Sequence, residues 1–275
     1  MTSDQPSNPK PFRHWYQYSL RTLMIVVTLF AVACSWFAVK MKQARRQREA
    51  VEAILKSGGT VAYDYECDKS GHINPTSGNP PGPEWLRKLV GDDFFTTAII
   101  LHPSNITDTE LEHLEGLPYL QVLGLRYNKI TDAGLGHVKK LTRLHTLDLQ
   151  STQVTDAGTI ILKGMNKLKW LSLFNTKVTD VGLKNLEDMT QLQDLYLGET
   201  NITDAGLVYL RKLTQLQSLG LQYTKITDVG LVHLQGLSQL KWLHLTNTKT
   251  TKDGVDDLQK AIPNLYIELK PPTDP

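Results

Sequence analysis

Apolar residues recur along the chain at a fixed interval of 24 residues from Asp93 onward. Two representative segments are residues 117–140, LPYLQVLGLRYNKITDAGLGHVKK, and residues 213–236, LTQLQSLGLQYTKITDVGLVHLQG. Seven such units align without a gap, with first residues Asp93, Leu117, Leu141, Met165, Met189, Leu213 and Leu237. One unit of this length cannot close a hydrophobic core, whereas stacked units bury a continuous one. The pattern therefore predicts a repeat solenoid.

Each unit contains a short predicted strand followed by a polar turn. The apolar side chains that we expect to face the core are Leu120, Leu123 and Leu125 on the strand and Ile130, Leu135 and Val138 after it, with their equivalents in the other units. A short polar side chain follows each strand, at Asn128, Thr152, Thr176, Thr200, Thr224 and Thr248. Because backbone groups in a buried turn need partners, we expect this column to hydrogen-bond the turn.

A Thr-Asp pair precedes each predicted helix. The pairs are Thr131-Asp132, Thr155-Asp156, Thr179-Asp180, Thr203-Asp204 and Thr227-Asp228. Thr and Asp side chains both cap free N–H groups at helix starts, and an acid suits the positive end of the helix dipole. A calcium site needs several oxygens that converge on one point, whereas each turn supplies a single Asp. We therefore predict helix capping for this column.

The repeat L-x-x-L-x-L-x-x-T-x-I-T-D-x-G-L-x-x-L resembles the cysteine-containing leucine-rich repeat subtype of F-box proteins, over residues 93–260. Thr or Asn stands where that subtype often has Cys, and nothing before Asp93 resembles an F-box. The resemblance therefore does not extend to ubiquitin-ligase function. Together with an apolar N-terminal segment, the repeats are similar to bacterial membrane-anchored leucine-rich repeat proteins. The resemblance implies an α/β solenoid, shaped as an arc or horseshoe, with a parallel β-sheet on the concave face and short helices on the convex face.

Residues 22–39, TLMIVVTLFAVACSWFAV, carry no charge over eighteen positions. This length fits the lower end of the roughly 17–25 residues of a spanning helix, so we predict an N-terminal transmembrane anchor. Aromatic residues typical of membrane interfaces lie near its two ends, at Trp15, Tyr16, Tyr18, Trp36 and Phe37. Two alternatives are a buried core helix and a cleaved signal, either an ordinary signal peptide or a lipoprotein signal, since an A-x-A pattern that ends at Ala33 precedes Cys34.

The charges that flank the anchor leave its orientation open. Three bases precede it (Lys10, Arg13 and Arg21) and five follow it (Lys40, Lys42, Arg45, Arg46 and Arg48). An excess of bases on the C-terminal side favours a cytoplasmic body by the positive-inside rule. The N-terminal tail is also basic, which favours the opposite orientation of a signal anchor. We therefore predict a single-pass membrane protein without assigning the side on which the repeats lie.

The predicted organisation has five parts. They are a basic tail at residues 1–21, the transmembrane anchor at 22–39, a juxtamembrane helix and N-terminal cap at 40–92, seven repeats at 93–260, and a C-terminal cap and tail at 261–275. Within the caps we predict a helix at 40–56 that ends before Gly58, a strand at 60–66, a loop at 70–83, a short helix that begins at Pro83, and a closing strand at 261–269.

Composition narrows the class of protein. The chain is 40% hydrophobic and 21% charged, which excludes wholesale disorder. Its net charge of +2 is unevenly placed, because residues 1–50 hold eight bases and two acids, whereas the remainder holds 22 bases and 26 acids. A slightly acidic body argues against nucleic-acid binding. The two cysteines, Cys34 and Cys67, exclude a disulfide framework and disfavour a Cys-based zinc site.

Three columns of variable residues flank the inward leucines and are expected to face the concave side. They run Ala98, Val122, Thr146, Trp170, Asp194, Ser218, Trp242; then Ile100, Gly124, Asp148, Ser172, Tyr196, Gly220, His244; and then His102, Arg126, Gln150, Phe174, Gly198, Gln222, Thr246. Trp170, Phe174 and Tyr196 lie on adjacent strands at a diagonal spacing of about 7–8 Å, which predicts one aromatic patch with Tyr223 at its rim. Trp242 and His244 form a second, smaller predicted patch.

Candidate catalytic and metal-binding residues are sparse. The histidines His102, His145 and His244 fall on different strands, and His113 and His137 share an outer helix column. A further candidate pair, Asp148 and Asp194, is two strands apart, roughly 10 Å, which is too far for a defined acid–base pair. The phosphate-binding and nucleophile motifs G-x-x-x-x-G-K-[ST], G-x-G-x-x-G and G-x-S-x-G do not occur. We therefore predict no enzymatic activity, no cofactor and no metal.

These observations lead to two main functional hypotheses. The first is a membrane-anchored module that presents its concave face to a protein partner through the aromatic patches, since interface hot spots favour Trp, Tyr and Arg. The alternative is a non-catalytic envelope scaffold whose repeats pack laterally. A hydrolase that uses Asp148 or Asp194 is a third class, and it predicts turnover that Asp148→Asn removes.

Overall fold

The computed structural model describes residues 20–67 and 79–269. Its helices are α1 (Leu20–Lys56), α2 (Glu84–Val90), α3 (Asp132–Val138), α4 (Asp156–Leu162), α5 (Asp180–Leu186), α6 (Asp204–Leu207), α7 (Asp228–Leu231) and α8 (Lys252–Ala261). Its strands are β1 (Thr60–Tyr63), β2 (Ala98–His102), β3 (Val122–Gly124), β4 (Thr146–Asp148), β5 (Trp170–Ser172), β6 (Asp194–Tyr196), β7 (Ser218–Gly220), β8 (Trp242–His244) and β9 (Tyr266–Glu268). Short 3₁₀ helices cover Asp64–Glu66, Asp92–Phe94, Glu110–Gly116, Val208–Lys212 and Val232–Leu234.

Some predictions lie outside the described residues. They concern the basic tail up to residue 19 with its aromatic residues Trp15, Tyr16 and Tyr18, most of the loop at 70–83, and the tail after residue 269. The chain divides into two compact units, Met1–Lys42 and Gln43–Pro275. In the first unit, most apolar side chains of α1 are exposed, and the Thr28 hydroxyl donates to the Met24 carbonyl at 2.8 Å.

The second unit contains a nine-stranded sheet in which the strands follow one another in chain order. β1 pairs antiparallel with β2, and every later pair in the sheet is parallel. Between consecutive parallel strands the chain crosses over through a short α-helix or 3₁₀ helix, because parallel strands cannot be joined by a tight hairpin. The predicted α/β solenoid, with a parallel sheet on one side and short helices on the other, is confirmed.

The interior of the solenoid consists of stacked apolar columns. The predicted core residues Leu120, Leu123, Leu125, Ile130, Leu135 and Val138 are all 0% exposed. The polar column after each strand makes the predicted backbone contacts, such as that of Thr152 Oγ1, which donates to the Leu149 carbonyl at 2.7 Å. Asn128 reaches further, because its Oδ1 accepts the Ile106 N–H of the preceding repeat at 2.9 Å.

The Thr-Asp pairs have divided roles, which corrects the capping prediction for Asp. Thr179 caps α5, since its hydroxyl accepts the Val181 N–H at 3.3 Å. The carboxylate of Asp156 instead bridges to the next repeat, where its two oxygens accept the N–H and the hydroxyl of Thr179, each at 2.7 Å. The same bridge joins Asp108 to Thr131, Asp132 to Thr155, Asp180 to Thr203, Asp204 to Thr227, and Asp228 to Thr251. The Asp column therefore joins neighbouring repeats.

This bridge also explains the glycine in the T-D-x-G motif. A Cβ at Gly182 would lie 2.5 Å from Asp156 Oδ1 and 2.6 Å from Val178 Cγ1, which is closer than a side chain can approach. The bridging carboxylate of one repeat therefore requires a glycine in the next.

Asp156→Ala is expected to lower the free energy of unfolding by about 1–3 kcal/mol, because it leaves the Thr179 N–H without its acceptor. Asp156→Asn should cost less, since an amide can accept from the N–H and donate to the hydroxyl. Urea denaturation followed by circular dichroism measures both. Asp188→Ala is the control, because this exposed carboxylate pairs with Lys212 at the surface. An equal loss for Asp188→Ala would contradict the bridging role.

The first repeat departs from the gapless alignment. The alignment places Ala98 beside Val122, whereas the structure pairs Ile100 with Val122. The turn after the strand shows the cause. Its left-handed residue is Asn105 in the first repeat and Tyr127 in the second. The distance from this residue to the Thr-Asp pair is two residues shorter in the first repeat. The column assignments of Ala98, Ile100 and His102 are therefore wrong by two positions.

The N-terminal cap is built on the end of α1. The predicted helix at 40–56 is the second half of α1, and its buried residues are Ala44, Gln47, Ala50, Val51 and Ile54. The Gln47 amide closes the open edge of the first repeat, because it accepts the Ala98 N–H at 3.2 Å and donates to the Thr96 carbonyl at 3.0 Å. The helix ends at Lys56, before Gly58 with its positive φ of 85°, as predicted.

The strands predicted in the two caps are shorter in the structure. The strand predicted at 60–66 ends at Tyr63, because Glu66 Oε2 accepts the Tyr63 N–H at 2.9 Å and holds the chain in a 3₁₀ turn. The closing strand predicted at 261–269 is confined to β9, since α8 extends to Ala261. The helix predicted to begin at Pro83 is α2, for which Pro83 is the N-cap residue.

Candidate binding face

Strand side chains that point away from the leucine core form one surface, which we call the sheet face. Neighbouring strands carry these side chains in register, with Trp170 beside Asp194 and Ser172 beside Tyr196. Adjacent strands are about 4.8 Å apart, so residues of one column are neighbours in space. The sheet face therefore brings together residues that lie 24 positions apart in the sequence.

Four ring-bearing residues form a continuous aromatic row across β5 to β8, namely Trp170, Tyr196, Trp242 and His244. The ring centroids of Trp170 and Tyr196 are 5.3 Å apart, those of Tyr196 and Trp242 are 6.4 Å apart, and those of Trp242 and His244 are 5.4 Å apart. All three pairs are tilted, a geometry that aromatic rings favour over face-to-face stacking. The two patches predicted from the sequence are thus one surface, and their separation was wrong.

Small residues on β7 allow the row to remain continuous. β7 lies between the strands of Tyr196 and Trp242 and presents Ser218 and Gly220 to the sheet face. A Cβ at Gly220 would lie 3.0 Å from Tyr196 Cδ1, so the tyrosine ring occupies the space that a larger side chain would fill. The tyrosine can therefore reach across β7 to Trp242.

Phe174 and Tyr223 lie outside the aromatic row. Phe174 is packed over Gly198, where an added Cβ would lie 2.8 Å from Phe174 Cε2. Tyr223 is exposed and has a left-handed backbone with φ of 58°. Neither ring contacts the row in the described ranges 20–67 and 79–269. The structure thus brings four of the six predicted site residues into ring contact, whereas Phe174 lies over Gly198 and Tyr223 lies in the turn after β7.

Two residues on β9 that were not predicted extend the same columns. Tyr266 pairs with Trp242, and Glu268 pairs with His244. The side chain of Tyr266 is exposed, and Glu268 Oε2 lies 3.7 Å from His244 Nε2. Their offset of 24 residues from Trp242 and His244 is the signal that would have identified them.

Burial shapes the titration of groups on the sheet face. Burial raises the pKa of the Tyr196 hydroxyl, and the nearby Asp194 carboxylate raises it further. Burial also raises the pKa of Asp148, opposed by the hydrogen bond from the Gln150 N–H and by the charge of Arg126. Asp148 and Asp194 lie on β4 and β6 in different columns, so the structure does not bring the two carboxylates together.

The three histidines predicted on strands lie in different repeats. His102 is on β2 and His244 on β8, as predicted, whereas His145 lies immediately before β4 and not on the strand. On the helix side, His137 Nδ1 lies 3.4 Å from Glu115 Oε1. Across residues 20–67 and 79–269, no group of three or more His, Cys, Asp or Glu side chains is placed to hold a metal ion.

Comparisons with known proteins identify the class. Two family models described as leucine rich repeat match the chain, one at residues 142–202 and 190–250 and the other at residues 116–136. A comparison with curated proteins gives no match. Together with the 24-residue period and the parallel sheet, the matches show that the chain is a leucine-rich repeat protein.

Two solved structures of internalins from Listeria monocytogenes resemble the chain. Internalin C2 is 26% identical with a TM-score of 0.50, and the alignment covers 65% of this chain and 82% of that one. The internalin inlF is 23% identical with a TM-score of 0.46, over 62% of this chain and 52% of that one. The alignment thus spans about half the length of inlF. The likeness to internalin C2 supports the repeat fold.

Proposed function

We propose that the chain is a membrane-anchored, non-catalytic protein–protein interaction module that presents the concave sheet face of its solenoid to a protein partner. The residues proposed to bind the partner are Trp170, Phe174, Tyr196, Tyr223, Trp242 and His244. The leucine-rich repeat class supports the general function, because such domains are typically interaction scaffolds. Stacked repeats also suit this role, since they create extended concave surfaces.

The continuous aromatic row is the observation that carries the proposal. Large aromatic side chains dominate interface energetics, and hot spots cluster near the centre of an interface. The row extends over four strands, and polar side chains lie next to it, with Asp194 beside Trp170 and Glu268 beside His244. An apolar centre with a polar rim is the usual anatomy of a protein interface.

The aromatic row also makes the proposal testable. Trp170→Ala combined with Tyr196→Ala is expected to abolish capture of the partner, because truncation of a hot-spot residue costs about 2 kcal/mol or more. The partner is captured by crosslinking and mass spectrometry from the native membrane. Circular dichroism checks that the double variant still unfolds cooperatively.

The matched control removes one Trp and one Tyr outside the aromatic row. Trp85→Ala with Tyr127→Asn replaces two residues that are 68% and 69% exposed. Asn tolerates the left-handed backbone of Tyr127, whose φ is 60°. This control should retain the partner. A Trp170 and Tyr196 double variant that retains the partner would refute the proposed site.

The membrane anchor is part of the proposal and rests on α1. This helix contains an 18-residue window that is apolar enough to cross a membrane, and none of the window is buried inside the protein. A core helix would be mostly buried, so this alternative does not fit the window. A signal sequence near the N-terminus would meet the same criterion of length and composition. The N-terminal residue of the mature protein distinguishes a retained anchor from a cleaved signal.

A second candidate function is supported by the helix side of the solenoid. Several apolar residues there are exposed, namely Ile160, Val181, Val208, Val229 and Val232. Apolar side chains that are exposed on the same side of successive repeats favour the alternative of a scaffold whose repeats pack laterally. The crosslinking experiment separates the two functions. Crosslinks between two copies of this chain through the helix side would support the scaffold, whereas crosslinks from the aromatic row to another protein would support the interaction module.

A further inference from the structure

A basic pocket lies at the edge of the sheet where the chain enters β4, β5 and β6. Its volume is about 260 Å³, and the residues that line it are Arg143, His145, Asn166, Lys167, Lys169 and Gln191. Three of these residues are permanently charged bases, and none is an acid. The pocket is therefore a concentrated positive surface on a body that is otherwise slightly acidic, with 22 bases and 26 acids after residue 50.

Backbone hydrogen bonds between repeats hold the pocket together. The Lys169 N–H donates to the His145 carbonyl at 2.8 Å, and the Gln193 N–H donates to the Lys169 carbonyl at 2.7 Å. Loops of successive repeats are thus stacked side by side. Residues 24 positions apart, such as Arg143 and Lys167, are therefore neighbours across the pocket.

Two side chains of the pocket are oriented by uncharged partners. The Arg143 guanidinium lies over the Tyr119 ring at 4.5 Å from its centroid, and His145 Nε2 lies 3.1 Å from Gln121 Oε1. A guanidinium stacked on an aromatic face keeps its N–H groups available for an anion. The pocket is thus partly organised before a ligand binds.

The charges of the pocket are not neutralised within the described part of the chain. On the helix side, by contrast, Lys212 Nζ lies 3.2 Å from Asp188 Oδ1, and Lys140 pairs with Glu115. Arg143, Lys167 and Lys169 make no such ion pair among residues 20–67 and 79–269. Like charges held close together without counter-charges favour the binding of an anion.

We propose that the basic pocket binds an acidic segment, rich in Asp and Glu, on the same protein partner that contacts the aromatic row. This proposal rests on the proposed function. The pocket lies next to the end of the aromatic row in the chain, because Lys169, which lines the pocket, is the residue immediately before Trp170 at the start of β5. The bases come from two successive repeats, which are about one strand spacing, 4.8 Å, apart. An extended chain of carboxylates can place one acid against each base of the pocket.

The test measures binding of fluorescein-labelled hexaglutamate to the full chain in nonionic detergent by fluorescence anisotropy at low salt. Arg143→Gln, Lys167→Gln and Lys169→Gln together are expected to weaken binding by about tenfold or more. Added salt should weaken binding to the unaltered chain, because it screens the charges. Inorganic phosphate at the same charge concentration should not displace the peptide.

The control removes three bases outside the pocket, by Lys184→Gln, Lys225→Gln and Lys249→Gln. It lowers the net charge equally and should keep the affinity within about twofold. Equal weakening in the control, displacement by inorganic phosphate, or no binding of hexaglutamate to the unaltered chain would each overturn the proposal. The measurement uses no partner, so its failure would leave the aromatic row untouched. Conversely, if the Trp170 and Tyr196 double variant retained the partner, that result would refute the proposed function but would leave the hexaglutamate result unchanged.

Discussion

Leu195→Ala is expected to lower the free energy of unfolding of the solenoid by about 2–5 kcal/mol, the cost of a cavity in a packed core. Leu195 is 0% exposed and lies between Leu171 and Leu219 on the two neighbouring strands. The energies of a repeat protein come from single repeats and from the interfaces between neighbours. A cavity at Leu195 therefore weakens one repeat and both of its interfaces.

Urea denaturation followed by circular dichroism measures this loss for Leu195→Ala. Gln215→Ala is the control, because Gln215 is exposed in a loop of the next repeat and should change stability by less than about 0.5 kcal/mol. If Leu195→Ala cost no more than Gln215→Ala, Leu195 would not be part of a tightly packed core.

The core of the solenoid was predictable because it depends only on periodicity. Leu120, Leu123 and Leu125 recur at positions that a single repeat already defines, and all three are fully buried. The role of Asp156 was not predictable in this way. Asp is a common helix cap, and only the stacking of two repeats shows that its carboxylate reaches Thr179 of the next one. Sequence spacing places residues along the chain, whereas the bridge depends on the distance between repeats.

The first repeat shows a second limit of the sequence. In the observed register, Ala98 and Pro103 occupy positions that are leucine in later repeats. Because these two leucines are missing, the 24-residue period alone gave a register for the first repeat that was wrong by two positions. The antiparallel pairing of β1 with β2 also belongs to this repeat alone among the described strands. An end repeat that pairs with a cap on one side does not need the spacing of an interior repeat.

The sequence predicted which aromatic residues lie on the candidate binding face, but it did not predict that four of them form one continuous row. The columns placed Trp170, Tyr196, Trp242 and His244 on the sheet face, where the strand pairing has them. Whether Tyr196 joins Trp242 depends on the direction of its ring over Gly220. A ring direction is a matter of rotamer, which the alternation of a strand does not specify. The basic pocket was not predicted because its residues lie in loops before the strands, outside the columns.

Removal of residues 1–39 is expected to move the protein from the membrane fraction to the soluble fraction while the solenoid keeps its melting temperature. The 18-residue apolar window of α1 is 0% buried, so it adds nothing to the core. The buried residues of α1 begin at Ala44, beyond the deletion. Fractionation after a high-salt wash measures the location of the truncated chain, and circular dichroism measures its melting temperature.

Removal of residues 1–56 is the contrasting variant, because it also deletes buried residues of the cap. Val51 and Ile54 are 5% and 0% exposed, and burial of each is worth about 1.5–3 kcal/mol. The loss of Gln47 would also leave the Ala98 N–H without its side-chain acceptor. This shorter chain should be soluble but less stable by about 3–6 kcal/mol.

If the 1–39 deletion still sediments with membranes after the wash, another segment holds the protein there. If it is soluble but unfolded, the cap depends on the apolar part of α1, which would contradict the independence of the solenoid.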